Sequence, residues 1–148
     1  MIQRIQSLYI VAAIILMVLT SYLPLINMSD EQGNLFITYA SGIQQADTTI
    51  LNTIPLLIIV IATIAINACA LFLFKNLMLQ TRLLFFSILL QVGSYGLGAF
   101  YILQVSEGLN INPTVITTFP LIASIFAYIA IRAIAKDDSL LKSVDRIR

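Results

Sequence analysis

The chain has no histidine, a single cysteine and few charges, and each shortage closes off a class of protein. With Cys69 alone, no internal disulfide can form. Without histidine, the imidazole ligands usual for haem and zinc are missing, so no metal or redox cofactor is expected. Charged residues make up 10% of the 148 residues, against about a quarter in soluble domains. That is too little polar surface to cover a water-facing globule. A net charge of +1 gives no reason to expect a nucleic-acid partner.

What the chain does have is hydrophobic length. Apolar residues make up 59% of it, and spanning a bilayer takes about 20 of them in a row. Four stretches qualify, at about 7–26, 54–74, 83–105 and 114–134, which predicts one membrane domain over 1–148. The expected fold is all-α, a four-transmembrane-helix bundle. Arg4 before the first apolar run allows a signal peptide, but the run is long for one and no small-x-small cleavage site follows, so an uncleaved helix is preferred. Pro55 falls in the first turn of the second span, where its missing N–H is tolerated. Asn112 and Pro113 read as the start signal of the fourth, with Pro120 kinking it from inside.

All eight Lys and Arg fall on one side: Arg4, the short loop bracketed by Lys75 and Arg82, and the segment from Arg132 to Arg148. The opposite loops carry Asp30, Glu31, Asp47 and Glu107 and no basic residue. The positive-inside rule therefore predicts cytoplasmic N- and C-termini. No repeat of 20–50 residues is evident.

Catalysis and ion coupling in membranes usually need ionisable groups inside the bundle. No Asp, Glu, Lys or His lies in the core of any span. Thiol oxidoreductases need paired cysteines, small multidrug exporters a membrane carboxylate, and intramembrane serine proteases a base beside the serine. None of these is present, so no enzyme is expected. Uncharged polar residues instead draw stripes at helical spacing: Thr63 and Asn67; Ser87, Gln91, Ser94 and Gly98; Thr117, Ser124 and Tyr128. Packing and interhelix bonding explain such stripes more simply than a polar pathway. The short second loop suggests that Asn67 and Gln91 lie at similar depth on antiparallel helices and share a hydrogen bond. Gly93, Gly96 and Gly98 lack the preceding strand of a phosphate-binding loop and read as close helix packing or a local bend. Cys69 reads as a small core residue, and the aromatics as interfacial belts.

Two segments outside the spans carry more. Between the first two spans, Glu31-Gln32-Gly33-Asn34 is turn-like and Leu35-Phe36-Ile37-Thr38-Tyr39 is β-prone, which predicts a short β-hairpin capping the bundle. In the tail, 135–148, Leu140, Leu141, Val144 and Ile147 fall on one helical face opposite mixed charges. Such a short helix needs a surface. Its interleaved Asp137, Asp138 and Asp145 favour docking on protein over lipid, because membrane-surface helices are usually basic on the polar face.

The opening Met1-Ile2-Gln3-Arg4-Ile5-Gln6-Ser7-Leu8-Tyr9 and the closing Lys136-Asp137-Asp138-Ser139-Leu140-Leu141-Lys142-Ser143-Val144-Asp145-Arg146-Ile147-Arg148 resemble the two ends of an uncharacterised family of short four-span bacterial inner-membrane proteins. The resemblance runs the full length and is most specific at the ends. It implies a bacterial inner (cytoplasmic) membrane and supplies no activity. The expectation is a non-enzymatic accessory or assembly subunit, in contact with membrane lipids and with other membrane proteins or copies of itself. The alternative is a small transport or lipid-binding module using the uncharged stripe, marked by a cavity at Asn67, Gln91 and Ser94.

Overall fold

The computed structural model describes residues 3–45, 48–73, 76–105 and 108–145. Its helices are α1 (Gln3–Tyr22), α2 (Ile54–Phe72), α3 (Leu77–Val105) and α4 (Phe119–Asp145), of 20, 19, 29 and 27 residues. All four are long and apolar enough to cross a membrane. At 1.5 Å per residue they run roughly 28 to 44 Å, against a hydrocarbon core of about 30 Å. They pack as a ring in which each helix touches the next and α4 closes on α1.

One spacing builds that ring. α1 buries Gln6, Ile10, Ala13, Met17 and Thr20; α2 buries Leu56, Val60, Thr63, Asn67 and Ala70; α3 buries Gln80, Leu84, Ser87, Gln91 and Ser94; α4 buries Ala123, Ala127, Ala130 and Ile134. Each set advances by alternating steps of four and three residues. That repeat of about 3.5 keeps a narrow seam facing the bundle axis, the pattern of left-handed coiled-coil packing. The alanines of α4 let its neighbours approach closely. Away from the seam the helices are apolar too: Ile15, Ile58, Ile61, Phe86, Leu89, Val92 and Ile125 are all exposed. Helices that are hydrophobic all round need a non-aqueous surround.

The fold is not all-α. Five short strands cap one end of the bundle: β1 (Ile26–Ser29), β2 (Leu35–Thr38), β3 (Gly42–Gln45), β4 (Thr48–Asn52) and β5 (Asn110–Pro113). They form one antiparallel sheet in the order β4-β3-β2-β1-β5. The expected hairpin is β1–β2, turning through Gly33 at φ +83°, a backbone conformation that glycine adopts without strain. It is the centre of something larger, because β3 and β4 extend it on one side and β5, from the other loop, on the other. Ile26, Met28 and Ile43 are buried beneath the sheet against Ile102, Val105 and Leu109, so the far end of α3 is a post that the sheet packs around.

Several boundaries move for physical reasons. α1 gives up its last predicted residues, as Ile26 pairs with Thr38 and Pro113 in the sheet. α3 starts at Leu77 rather than near 83. Asn112 and Pro113 end β5 instead of starting a helix. A 3₁₀ turn over Val115–Thr118 then leads into α4, and Pro120 sits in the first turn of that helix. Pro120 therefore starts the helix and does not kink it. The apolar stretch long enough to cross runs over Val115–Asp137 and takes in the 3₁₀ turn, and α4 continues beyond it without a break to Asp145. Gly93, Gly96 and Gly98 do not mark close packing: a Cβ at any of them would meet nothing within 4 Å, and α3 runs unbroken through all three. Cys69 is exposed and lies beside the seam, whose position is taken by Ala70.

Candidate functional site

Along the seam the structure buries Asn67 and Gln91 as the polar stripes suggested, at 0% and 1% exposure, but does not join them. Gln91 Nε2 donates to Ser87 Oγ at 3.1 Å on its own helix. Gln91 Oε1 and both amide atoms of Asn67 have no hydrogen-bond partner among the described residues. The earlier start of α3 is the reason. Asn67 lies about five residues from the end of α2, whereas Gln91 lies about fourteen from the start of α3, an offset of roughly 13 Å along the bundle. The two amides sit in different layers.

Where the bundle meets the sheet, the seam opens into a cavity of about 170 Å³. Its walls come from all four helices and the sheet, among them Thr20, Thr38, Thr53, Leu56, Val60, Ser94, Tyr95, Gly98, Tyr101 and Thr117. No charged residue lines it. Most of its hydroxyls are engaged. Thr20 Oγ1 donates to the Leu16 carbonyl at 2.8 Å, Thr53 Oγ1 to that of Ala40 at 3.1 Å and Ser94 Oγ to that of Gln91 at 2.6 Å. Tyr95 OH donates to the Thr117 carbonyl at 2.6 Å and accepts from the Leu121 N–H at 3.1 Å, pinning α3 to the entry of α4. Thr117 Oγ1 donates to the Leu25 carbonyl. Thr38 Oγ1 is buried with no partner found among the described residues, and none is found there for the Tyr101 hydroxyl. Of the three residues expected around a cavity, Ser94 alone lines this one. The sheet supplies its lid, which the helical stripes gave no means of anticipating.

The sheet's distal face, turned away from the bundle, is a different surface. Register places Asn112, Asn27, Ile37, Gln44 and Thr49 in one row across the five strands, with Leu35 beside Ser29 in the next. A shallow groove of about 450 Å³ crosses it, lined by Gly33, Asn34, Leu35, Ile37, Tyr39, Gln44 and Gln45. The groove is amide-rich and uncharged, with Asp30 and the exposed Glu31 in the turn at its end. The outermost strands make poor templates for further pairing. β4 is bulged where it meets β3, and β5 ends in a proline that has no N–H to donate.

At the other end of the bundle the two terminal motifs meet. Gln6 is 3% exposed and its Nε2 donates to the Asp137 carboxylate, tying the first turns of α1 to the last turns of α4. The tail is helical to Asp145, but the side chains of Leu140, Leu141 and Val144, and Ile147 entirely, lie outside the described residues. Among the described residues, no group of three or more His, Cys, Asp or Glu is placed to hold a metal ion. A comparison with curated proteins returns no match. A family model does match, over residues 2–147, nearly the whole chain including both terminal motifs, so the protein belongs to the family described as a domain of unknown function (DUF4293).

Proposed function

We propose that the chain is a non-enzymatic accessory or assembly component of a larger complex in a bacterial inner membrane. In this reading both termini are cytoplasmic, the sheet stands on the outer side, and the distal face of the sheet docks another membrane protein or a second copy. The observation that carries it is the groove at Leu35, Ile37, Tyr39 and Gln44, apolar and amide-lined, with Asp30 and Glu31 in the turn at its end. Interface cores are depleted in charge and enriched in aromatic residues, with polar groups at the rim. The orientation is supported by the distribution of Lys and Arg, all eight of which lie away from the sheet in sequence. The continuous α4 supports a second contact, in which the face of Leu140, Leu141, Val144 and Ile147 meets a cytoplasmic partner. A transport route along the seam has less behind it, since Asn67 and Gln91 belong to separate layers and only Ser94 lines the cavity at its end.

The test is co-purification in mild detergent from native membranes, comparing the parent chain with Ile37→Glu. The variant places a charge on the distal face and leaves the bundle untouched. Loss of specific membrane-protein partners from the variant is expected, with insertion unchanged. An identical set of partners from both chains would refute the docking face.

A further inference from the structure

The cavity under the sheet has the features of a ligand site, and none of them depends on the docking surface. Its volume, about 170 Å³, exceeds the roughly 150 Å³ of an engineered apolar cavity that stays dry and takes up benzene. It is far larger than the ~30 Å³ share of one liquid water molecule, and walls such as Leu56, Val60 and Ile102 offer a water cluster little to bond. An empty space of this size forfeits packing along its whole lining. An occupant restores it.

The polar groups say what kind of occupant fits. With no charge in the lining, an ionised ligand would be desolvated without compensation. The hydroxyls of Thr20, Thr53, Ser94, Tyr95 and Thr117 have already spent their protons on backbone carbonyls. Thr38 has not. It is 4% exposed, it lines the cavity from the sheet side, and its Oγ1 has no partner among the described residues. Buried hydroxyls are rarely left unbonded, so an unpartnered one on a residue that lines an apolar space is where a ligand oxygen would find a bond. Access is from the side: Gly98 is half-buried and Ala99 exposed at the edge of the cavity on α3, on the level where the bundle gives way to the sheet.

We propose that this cavity binds an uncharged, mostly apolar group of about benzene size carrying one hydrogen-bonding oxygen, with that oxygen held by Thr38 Oγ1. Two sources share this chemistry: a free phenol-like molecule, and the ester-bearing start of a lipid acyl chain entering past Gly98 and Ala99. Either leaves the sheet in place and contacts the same hydroxyl.

The experiment uses the full chain in lipid nanodiscs, with empty nanodiscs as the partition baseline. Binding of 4-methylphenol and of toluene is measured by calorimetry. In parallel, detergent-purified protein is extracted and assayed by mass spectrometry for retained lipid. Two variants accompany the parent. Thr38→Val keeps the shape and removes the hydroxyl. Gly98→Leu fills the space, as a Cβ there meets nothing within 4 Å. Saturable 1:1 binding of 4-methylphenol is expected, weakened on the order of fivefold by Thr38→Val, the net value of one hydrogen bond. Toluene affinity should be unchanged by Thr38→Val, and Gly98→Leu should abolish both. A stoichiometric lipid retained by the parent, released by 4-methylphenol and absent from Gly98→Leu, assigns the site to the lipid ester. Saturable binding without retained lipid assigns it to a free small molecule. The proposal is overturned if neither probe binds above the empty-nanodisc baseline and no lipid is retained. It is equally overturned if Thr38→Val leaves 4-methylphenol binding intact. Co-purification of partners is not among these readouts, so failure here leaves the docking face untouched.

Discussion

Replacing Asn67 with leucine should stabilise the protein. Asn67 is 0% exposed in the seam of α2, and neither its Nδ2 nor its Oδ1 finds a hydrogen-bond partner among the described residues. An unpaired buried polar group costs about 1–3 kcal/mol. The membrane damps that figure, because the unfolded helix in lipid is poorly solvated too, and interhelical hydrogen bonds there average only about 0.6 kcal/mol. Leucine has the same branched skeleton of heavy atoms as asparagine, so it removes the polarity at a small cost in packing. The expected gain for Asn67→Leu is about 1 kcal/mol, roughly fivefold in the ratio of folded to unfolded protein. Asn67→Ala separates the two contributions. It also removes the amide but empties the position, and should fall about 2 kcal/mol below leucine. The assay is reversible unfolding in mixed micelles, or steric trapping in bicelles. A loss of 1 kcal/mol or more in Asn67→Leu would refute the reasoning, because it would mean that the amide is bonded in the native state.

Four further outcomes follow from the same geometry. Asp137→Ala removes the acceptor of the buried Gln6 amide and should cost about 1–2 kcal/mol in the same unfolding assay, leaving the sheet intact. Gly93→Ala and Gly96→Ala, where an added Cβ meets nothing, should each raise stability by up to about 1 kcal/mol through helix propensity. Gly42→Val should loosen the sheet, since a Cβ there lies 3.0 Å from Thr49 Cγ2 and 3.1 Å from the Leu51 carbonyl oxygen, and limited proteolysis of the 26–52 segment would register it. Cys69, exposed on the outward side of α2, should react with a membrane-permeant maleimide in folded protein and resist a charged, water-soluble one.

The helices were legible because lipid imposes a strong, simple signal: runs of apolar residues with their charges at the ends. Depth was harder to read. Lys75 and Arg82 bracket what reads as a loop, yet Gln80 between them is a buried seam residue at 2% exposure, and the six-residue shift separates Asn67 from Gln91. Pro120 misleads in the same way: a helix from Pro120 to 134 looks too short to cross, although α4 continues through Asp137 to Asp145. The sheet was mostly hidden. Leu35–Thr38 is apolar enough to show itself, but Gly42-Ile43-Gln44-Gln45, Thr48–Asn52 and Asn110–Pro113 are strands because of their neighbours, not their composition. With most of the sheet hidden, the cavity is hidden too: Ser94 stands in a polar stripe, while Thr38 reads only as part of a β-prone stretch and nothing marks Thr53 as its neighbour.

The docking face is tested most directly by placing a photo-reactive amino acid at Ile37 and irradiating intact cells. The distal face is predicted to give a discrete adduct with one membrane protein or with a second copy of the chain, while the same residue at Val92, on the exposed flank of α3, gives only lipid adducts. No protein adduct from Ile37, or the same pattern from Ile37 and Val92, would contradict it.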